Sequence, residues 1–145
     1  MTPTHDPRTD PNCIFCKIAA GQIPCYKLHE DEWVVAFLDI APLSVGHCLV
    51  VPKAHYETLD QMPAEWAGAC AGVLPRLSRA VVAATAAAGW NVLQNNGRTA
   101  GQAVSHVHFH IIPRWEGDGL GYRWPAGKLE AAEAQRLLAA ITGKL

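Results

Sequence analysis

The chain has 145 residues, half of them hydrophobic, and a formal net charge of −1. That length suits one domain of ordinary size, and the near-neutral balance excludes the broad basic surface of a non-specific nucleic-acid binder. No stretch approaches the roughly 18–20 consecutive apolar residues of a membrane span, so neither nucleic acid nor membrane is expected as a partner.

Residues 1–12 are polar and proline-rich and lack the apolar centre of a signal peptide. They are expected to be a disordered leader before a single domain over 13–145, in a cytoplasmic protein. Residues 14–20 suggest a short helix, stopped at Gly21 with Pro24 soon after. Residues 26–29 and 33–38 are short β-type runs around Glu30-Asp31-Glu32, which reads as a hairpin. A loop over 41–46 leads into an apolar strand over 47–51, closed by Pro52. Pro63 stands at a helix start, and the alanine-rich run 64–88 predicts one long helix, bent or locally unwound at Pro75. Residues 90–94 form a strand, 95–101 a polar, glycine-bearing loop, and 104–112 the last strand, ended by Pro113. Residues 129–141 carry apolar side chains at helical spacing. The expected class is α+β: an antiparallel sheet of about five strands, one long helix, and short N- and C-terminal helices.

The chemistry concentrates in His106-Val107-His108-Phe109-His110-Ile111-Ile112. Side chains alternate along a strand, so the three histidines share one side and Val107, Phe109 and Ile111 enter the other. All three cannot bind one metal. His106 and His110 are about 13 Å apart along a strand, whereas zinc needs nitrogens at about 2.1 Å. Separate tasks along an elongated substrate, such as a phosphate chain, fit the spacing better. A further candidate is Cys13-x-x-Cys16, open to three readings: a redox pair, which lacks an upstream strand; a zinc half-site, which needs two more ligands; or free thiols. Cys25, Cys48 and Cys70 read as reduced thiols.

The run 106–112 resembles the signature of the histidine triad (HIT) family, His-φ-His-φ-His-φ-φ with φ apolar. Cys13-Ile14-Phe15-Cys16-Lys17-Ile18, Phe37-Leu38-Asp39-Ile40, Gly46-His47, Val51-Pro52-Lys53-Ala54-His55 and residues 95–102 fall where that family has its other motifs. The resemblance implies a hydrolase or nucleotidyltransferase acting on the α-phosphate linkage of a nucleotide conjugate such as an AMP derivative, a phosphoramidate or a dinucleoside polyphosphate. It makes His108 the nucleophile, which a neutral imidazole can be at physiological pH. His110 would then bond phosphate oxygens, His47 would set the proton balance, and His106 would belong to the same catalytic set. Asp39 would accept from ribose hydroxyls, and Ile14, Phe15, Ile18, Phe37, Ile40 and Leu49 would hold a purine base. Asn95, Gly101, Gln102 and Ala103 would form the phosphate loop.

The resemblance also implies structural zinc on Cys13, Cys16, His55 and His106, with no cofactor needed for the chemistry, and a homodimer joined through the long helix and the strand near Gly89. Features of two branches coexist. Pro113-Arg114 resembles bacterial HIT proteins and dinucleoside polyphosphate hydrolases, whereas Trp124-Pro125-Ala126-Gly127 resembles the Hint phosphoramidases. Ala103 stands where the Hint branch has a serine whose hydroxyl aids the leaving group. A HIT-fold nucleotide-binding interaction protein with little turnover is the second reading. A zinc hydrolase working through metal-bound water is the third.

Overall fold

The computed structural model describes residues 8–121 and 125–145. Five strands, β1 (Lys27–Glu30), β2 (Val34–Leu38), β3 (Cys48–Pro52), β4 (Gly89–Gln94) and β5 (Phe109–Arg114), form one sheet in the order β1-β2-β3-β5-β4. Every neighbouring pair is antiparallel. The helices are α1 (Ile14–Ala19), α2 (Ala64–Thr85) and α3 (Ala131–Thr142), with 3-10 turns at Leu59–Gln61 and Arg98–Ala100. No helix among the described residues is long and apolar enough to cross a membrane.

The central strands read as unbroken apolar runs because both faces of the sheet are covered. Val34, Ala36, Cys48, Val50 and Ile111 pack against Trp66, Cys70, Val73, Leu77 and Val81 of α2. Their sequence neighbours Val35, Phe37, Leu49 and Val51 turn the other way, onto Phe15, Cys16 and Ile18 of α1. The short α1 leaves part of that second face open, and the candidate site lies there.

The predicted elements are all present, with instructive differences. The last strand was expected over 104–112 but spans Phe109–Arg114. Residues 104–106 bend instead, and 107–108 lie outside the ladder. The Val107 amide donates to the Tyr56 carbonyl, and Pro52, which has no amide hydrogen, gives its carbonyl to the His106 imidazole. At its other end β5 continues through Pro113. Its ladder with β3 stops at Ile111, so the missing donor falls where no strand needs it.

Helix α2 is continuous across Pro75 rather than unwound. Pro75 and Ala71, the residue whose carbonyl loses its partner, are both exposed, so water can take that carbonyl. Of the expected disordered leader, residues 1–7 lie outside the described residues. Within residues 8–12, the His55 amide donates to the Arg8 carbonyl at 2.6 Å, and the Arg8 guanidinium stacks over Tyr56. Trp124 also lies outside the described residues.

Candidate active site

A cleft of about 430 Å³ opens on the α1 face. Ile14, Phe15 and Ile18 from α1, Phe37 from β2, Leu49 from β3, and Asp39 and Ile40 beyond β2 line it, with Ala103, His108 and His110 closing one end. These are residues the sequence singled out, now on one surface. Sequence reasoning missed Ile23, Pro24 and Cys25, which follow α1 and line the same cleft. Their position between an assigned helix and the β1–β2 hairpin was the available signal. Asn95, Gly101 and Gln102 do not line it. The buried Gln102 side chain instead accepts from the Gly97 amide at 2.7 Å and donates to the Glu57 and Val104 carbonyls. It shapes the loop and leaves Ala103 facing the cleft.

The histidine side chains divide as strand alternation requires. His108 and His110 face the cleft, and Val107, Phe109 and Ile111 pack with α2. The His108 Nδ1 lies 2.7 Å from the His106 carbonyl. A carbonyl only accepts, so Nδ1 carries the hydrogen and Nε2 keeps its lone pair. The Phe15 ring stands edge-on to His108 with centroids 5.1 Å apart. Burial holds the His108 imidazole below its ordinary range, favouring the neutral ring.

His47 is buried behind the cleft, just before β3. Gly46 puts it there: its φ is +86°, and a Cβ would meet Thr85 Cγ2 at 2.7 Å. The Leu43 amide donates to His47 Nδ1 at 3.0 Å, and His47 Nε2 lies 2.9 Å from His110 Nδ1 and 3.6 Å from Asp39 Oδ2. Asp39, His47 and His110 thus cluster closely enough to suggest a metal site. The Leu43 bond argues against it. A ligating histidine donates from its other nitrogen, and that nitrogen of His47 is an acceptor.

His106 turns away from the cleft. Its Nε2–H donates to the Pro52 carbonyl at 2.8 Å, leaving the Nδ1 lone pair 3.4 Å from Cys13 Sγ, 3.6 Å from Cys16 Sγ and 3.1 Å from His55 Nδ1. Cys16 Sγ is 3.4 Å from His55 Nδ1. Burial pushes the Cys16 thiol up to about 11 and holds His106 down at about 4. Cys48 and Cys70 are fully buried elsewhere, their thiols pushed up by burial to about 12, which makes them inert core residues.

This sheet, with a two-histidine cleft on one face, is an α+β arrangement that comparison with known proteins places. The HIT domain pattern matches residues 20–117, and the chain belongs to the HIT family. It is 47% identical over 135 residues to the adenosine 5'-monophosphoramidase of Schizosaccharomyces pombe, spanning 92% of this chain and 98% of that one. It is 48% identical over 109 residues to an adenylylsulfatase of Arabidopsis thaliana, 75% of this chain and 55% of that one. The crystal structure of a HIT family protein from Bacillus anthracis superposes with a TM-score of 0.89 at 40% identity, over 94% of this chain and 99% of that one. A zinc-bound histidine triad protein from Mycobacterium smegmatis does so at 0.72 and 37% identity, over 92% and 94%.

Proposed function

We propose that this protein is a nucleotide hydrolase or nucleotidyltransferase that cleaves the α-phosphate linkage of nucleoside 5'-phosphate conjugates through a covalent adduct on His108. The observation that carries this is the 2.7 Å bond from His108 Nδ1 to the His106 carbonyl, which fixes the tautomer and aims the Nε2 lone pair at the cleft. The lone pair forms a bond to phosphorus, the conjugate's other half leaves, and water then displaces the nucleotide from the imidazole. The apolar slot of Ile14, Phe15, Ile18, Phe37, Ile40 and Leu49 receives a purine. Asp39 Oδ1 is already held by the Ala41 amide at 2.8 Å, so Oδ2 is the oxygen for a ribose hydroxyl. The phosphoramidase and adenylylsulfatase relatives support AMP conjugates as substrates.

His108→Ala should lower turnover on the order of 10⁴-fold while AMP still binds, since only the bond made at phosphorus is lost. Activity near wild type would overturn the covalent mechanism. AMP binding without turnover in the wild-type protein would favour the interaction-protein reading instead.

Zinc is part of the same proposal. A tetrahedron with Zn–S of about 2.3 Å and Zn–N of about 2.05 Å has edges of about 3.5 Å (S to N) and 3.3 Å (N to N). The Cys13, Cys16, His55 and His106 distances fall close to these, and the His106 Nε2–H bond to Pro52 is the outer contact that a ligating imidazole uses. These four residues would hold the ion, which supplies a structural crosslink and leaves no open position for chemistry. The zinc-bound M. smegmatis relative supports this, and a reducing, cytoplasmic location, in which the thiols would persist, belongs to the same proposal. A homodimer formed through β4 and α2 completes the reading. Edge strand β4 exposes Trp90 and Val92 on the face that carries α2.

A further inference from the structure

Helix α1 carries two kinds of residue at once. Ile14, Phe15 and Ile18 wall the cleft, while Cys13, at the N-cap, and Cys16, in the first turn, belong to the cysteine–histidine cluster. His55 lies past the end of β3 and His106 ahead of β5, so the cluster joins this helix to the sheet. A wall of the cleft and its anchor are thus one six-residue helix, too short to hold its shape in water unaided. Beside the cluster, its attachments are the buried side chains of Phe15 and Ile18.

The two thiols are also placed to react with each other. A residue at the head of a helix and one in its first turn have Cα atoms about 5 Å apart, inside the range that a disulfide bridges. Their Sγ atoms lie within 4.8 Å of each other. One pass of chain covers them. The Asp10 amide donates to Cys16 Sγ at 3.4 Å and the Arg8 carbonyl accepts from His55, while Arg8, Thr9, Pro11 and Asn12 face solvent. Cys13 and Cys16 keep 8% and 6% of their surface, whereas Cys48 and Cys70 keep none.

We propose that Cys13 and Cys16 are a peroxide-sensitive modification site, whose oxidation to a disulfide empties the metal cluster, unfastens α1 and lowers nucleotide affinity. The proposal rests on the zinc reading above and adds a response to it. What changes is where the link runs. Four donors tie α1 to His55 and His106, whereas a Cys13–Cys16 bond joins two residues of one turn and holds nothing to the sheet. It also leaves two imidazoles, short of the four donors that hold structural zinc. With the link gone, Ile14, Phe15 and Ile18 no longer present one fixed wall. A nucleotide must then order the helix as it binds, and that ordering costs affinity.

The step balances with hydrogen peroxide as the oxidant. One thiolate sulfur attacks a peroxide oxygen, the O–O bond breaks, and the departing hydroxide takes a proton from solvent. The second thiolate attacks the sulfenic acid so formed. The S–S bond forms, the S–O bond breaks, and a second hydroxide leaves and is protonated. The two sulfurs together give up two electrons, and peroxide becomes two water molecules. A dithiol returns the pair to its reduced state by exchange.

The test uses the reduced, zinc-loaded full chain, titrated with hydrogen peroxide. Zinc release is followed with a chromogenic chelator, the disulfide by peptide mass mapping, and the AMP Kd by calorimetry. Zinc should leave in step with a Cys13–Cys16 disulfide, and the AMP Kd should rise at least about tenfold, roughly what one well-buried apolar contact contributes. Dithiothreitol with added zinc should reverse both changes. Cys25 is a competing thiol in the cleft, so the titration is repeated on Cys25→Ser, where the zinc release and the loss of affinity should persist. Zinc that stays bound, zinc that leaves without this disulfide, an AMP Kd that holds within about twofold, or a response lost in Cys25→Ser overturns the redox site and leaves the zinc reading standing. A reduced protein that takes up no zinc overturns the zinc reading and the redox site with it. A reduced protein that binds no AMP overturns the nucleotide reading, and the proposed control of affinity falls with it.

Discussion

His110 binds its hydrogen differently in the folded and unfolded chain, and that difference has a cost. Burial, with His108 and His47 beside it, holds the folded ring at about 4, against about 6.5 for a free imidazole. Between those values the unfolded chain binds the proton that the folded one refuses, so this residue makes stability rise with pH from about 4 to about 6.5 and level off above. The ring is partly exposed, and solvent screening limits the effect to the order of 1 kcal/mol. His110→Gln should remove that share of the acid sensitivity. Urea unfolding of both proteins at pH 5 and pH 7 measures it, and an unchanged pH dependence would contradict the assignment. The histidine pattern was legible at this scale because its period of two matches a strand. The role of Gln102 was not. A polar residue beside glycines reads as a phosphate ligand, and only the fold reveals the Gly97, Glu57 and Val104 groups that its amide satisfies.

Among the elements, α1 is the one whose attachment is least secured by its own length. Six residues are well below the length at which a helix holds in water by itself. Phe15, Cys16 and Ile18 are its buried contacts, and the Cys13, Cys16, His55 and His106 cluster is its other anchor. Stripping zinc with a strong chelator should therefore lower the Tm by roughly 5–15 °C, the shift expected from losing a few kcal/mol in a chain of this size. It should also reduce activity, since His106 supplies the carbonyl that orients His108. Elemental analysis showing no bound metal, with a Tm indifferent to the chelator, would remove zinc from the account. Strand and helix identities were readable from apolar spacing, but their ends were not. Pro113 looked like a stop because a proline cannot donate, and it is accommodated only because β3 has already parted from β5 there. Pro75 likewise looked like a break, but its exposed position lets water satisfy the carbonyl it orphans.

At the scale of the whole molecule, the sheet ends at β4, whose six residues form an edge unpaired among the described residues. Trp90 and Val92 are 48% and 46% exposed, an unusual placement for an isolated sheet edge, which natural proteins normally blunt with charge or proline. Pairing through this edge and α2 predicts a sedimentation mass of two chains at micromolar concentration, and Val92→Lys should reduce it to one. A one-chain mass for the wild-type protein would rule the dimer out. The core face and the chemical face were separable in the sequence because residues alternate in β2 and β3. Which free edge would be used was not, since exposure depends on strand order and not on local composition.

That division between faces bears on how such a protein could acquire new specificities. One side of the sheet, under α2, holds Val34, Ala36, Cys48 and Val50 with no exposed surface, and a change of volume there is felt throughout the interior. The opposite side carries the cleft, and two of its walls, Ile14 and Ile40, are 45% and 85% exposed. Random variation at those two positions would sample new shapes for the guest while leaving the scaffold's packing almost untouched. A library built there could explore many ligands from one parent, because the residues that select the cargo are not the ones that keep the chain folded.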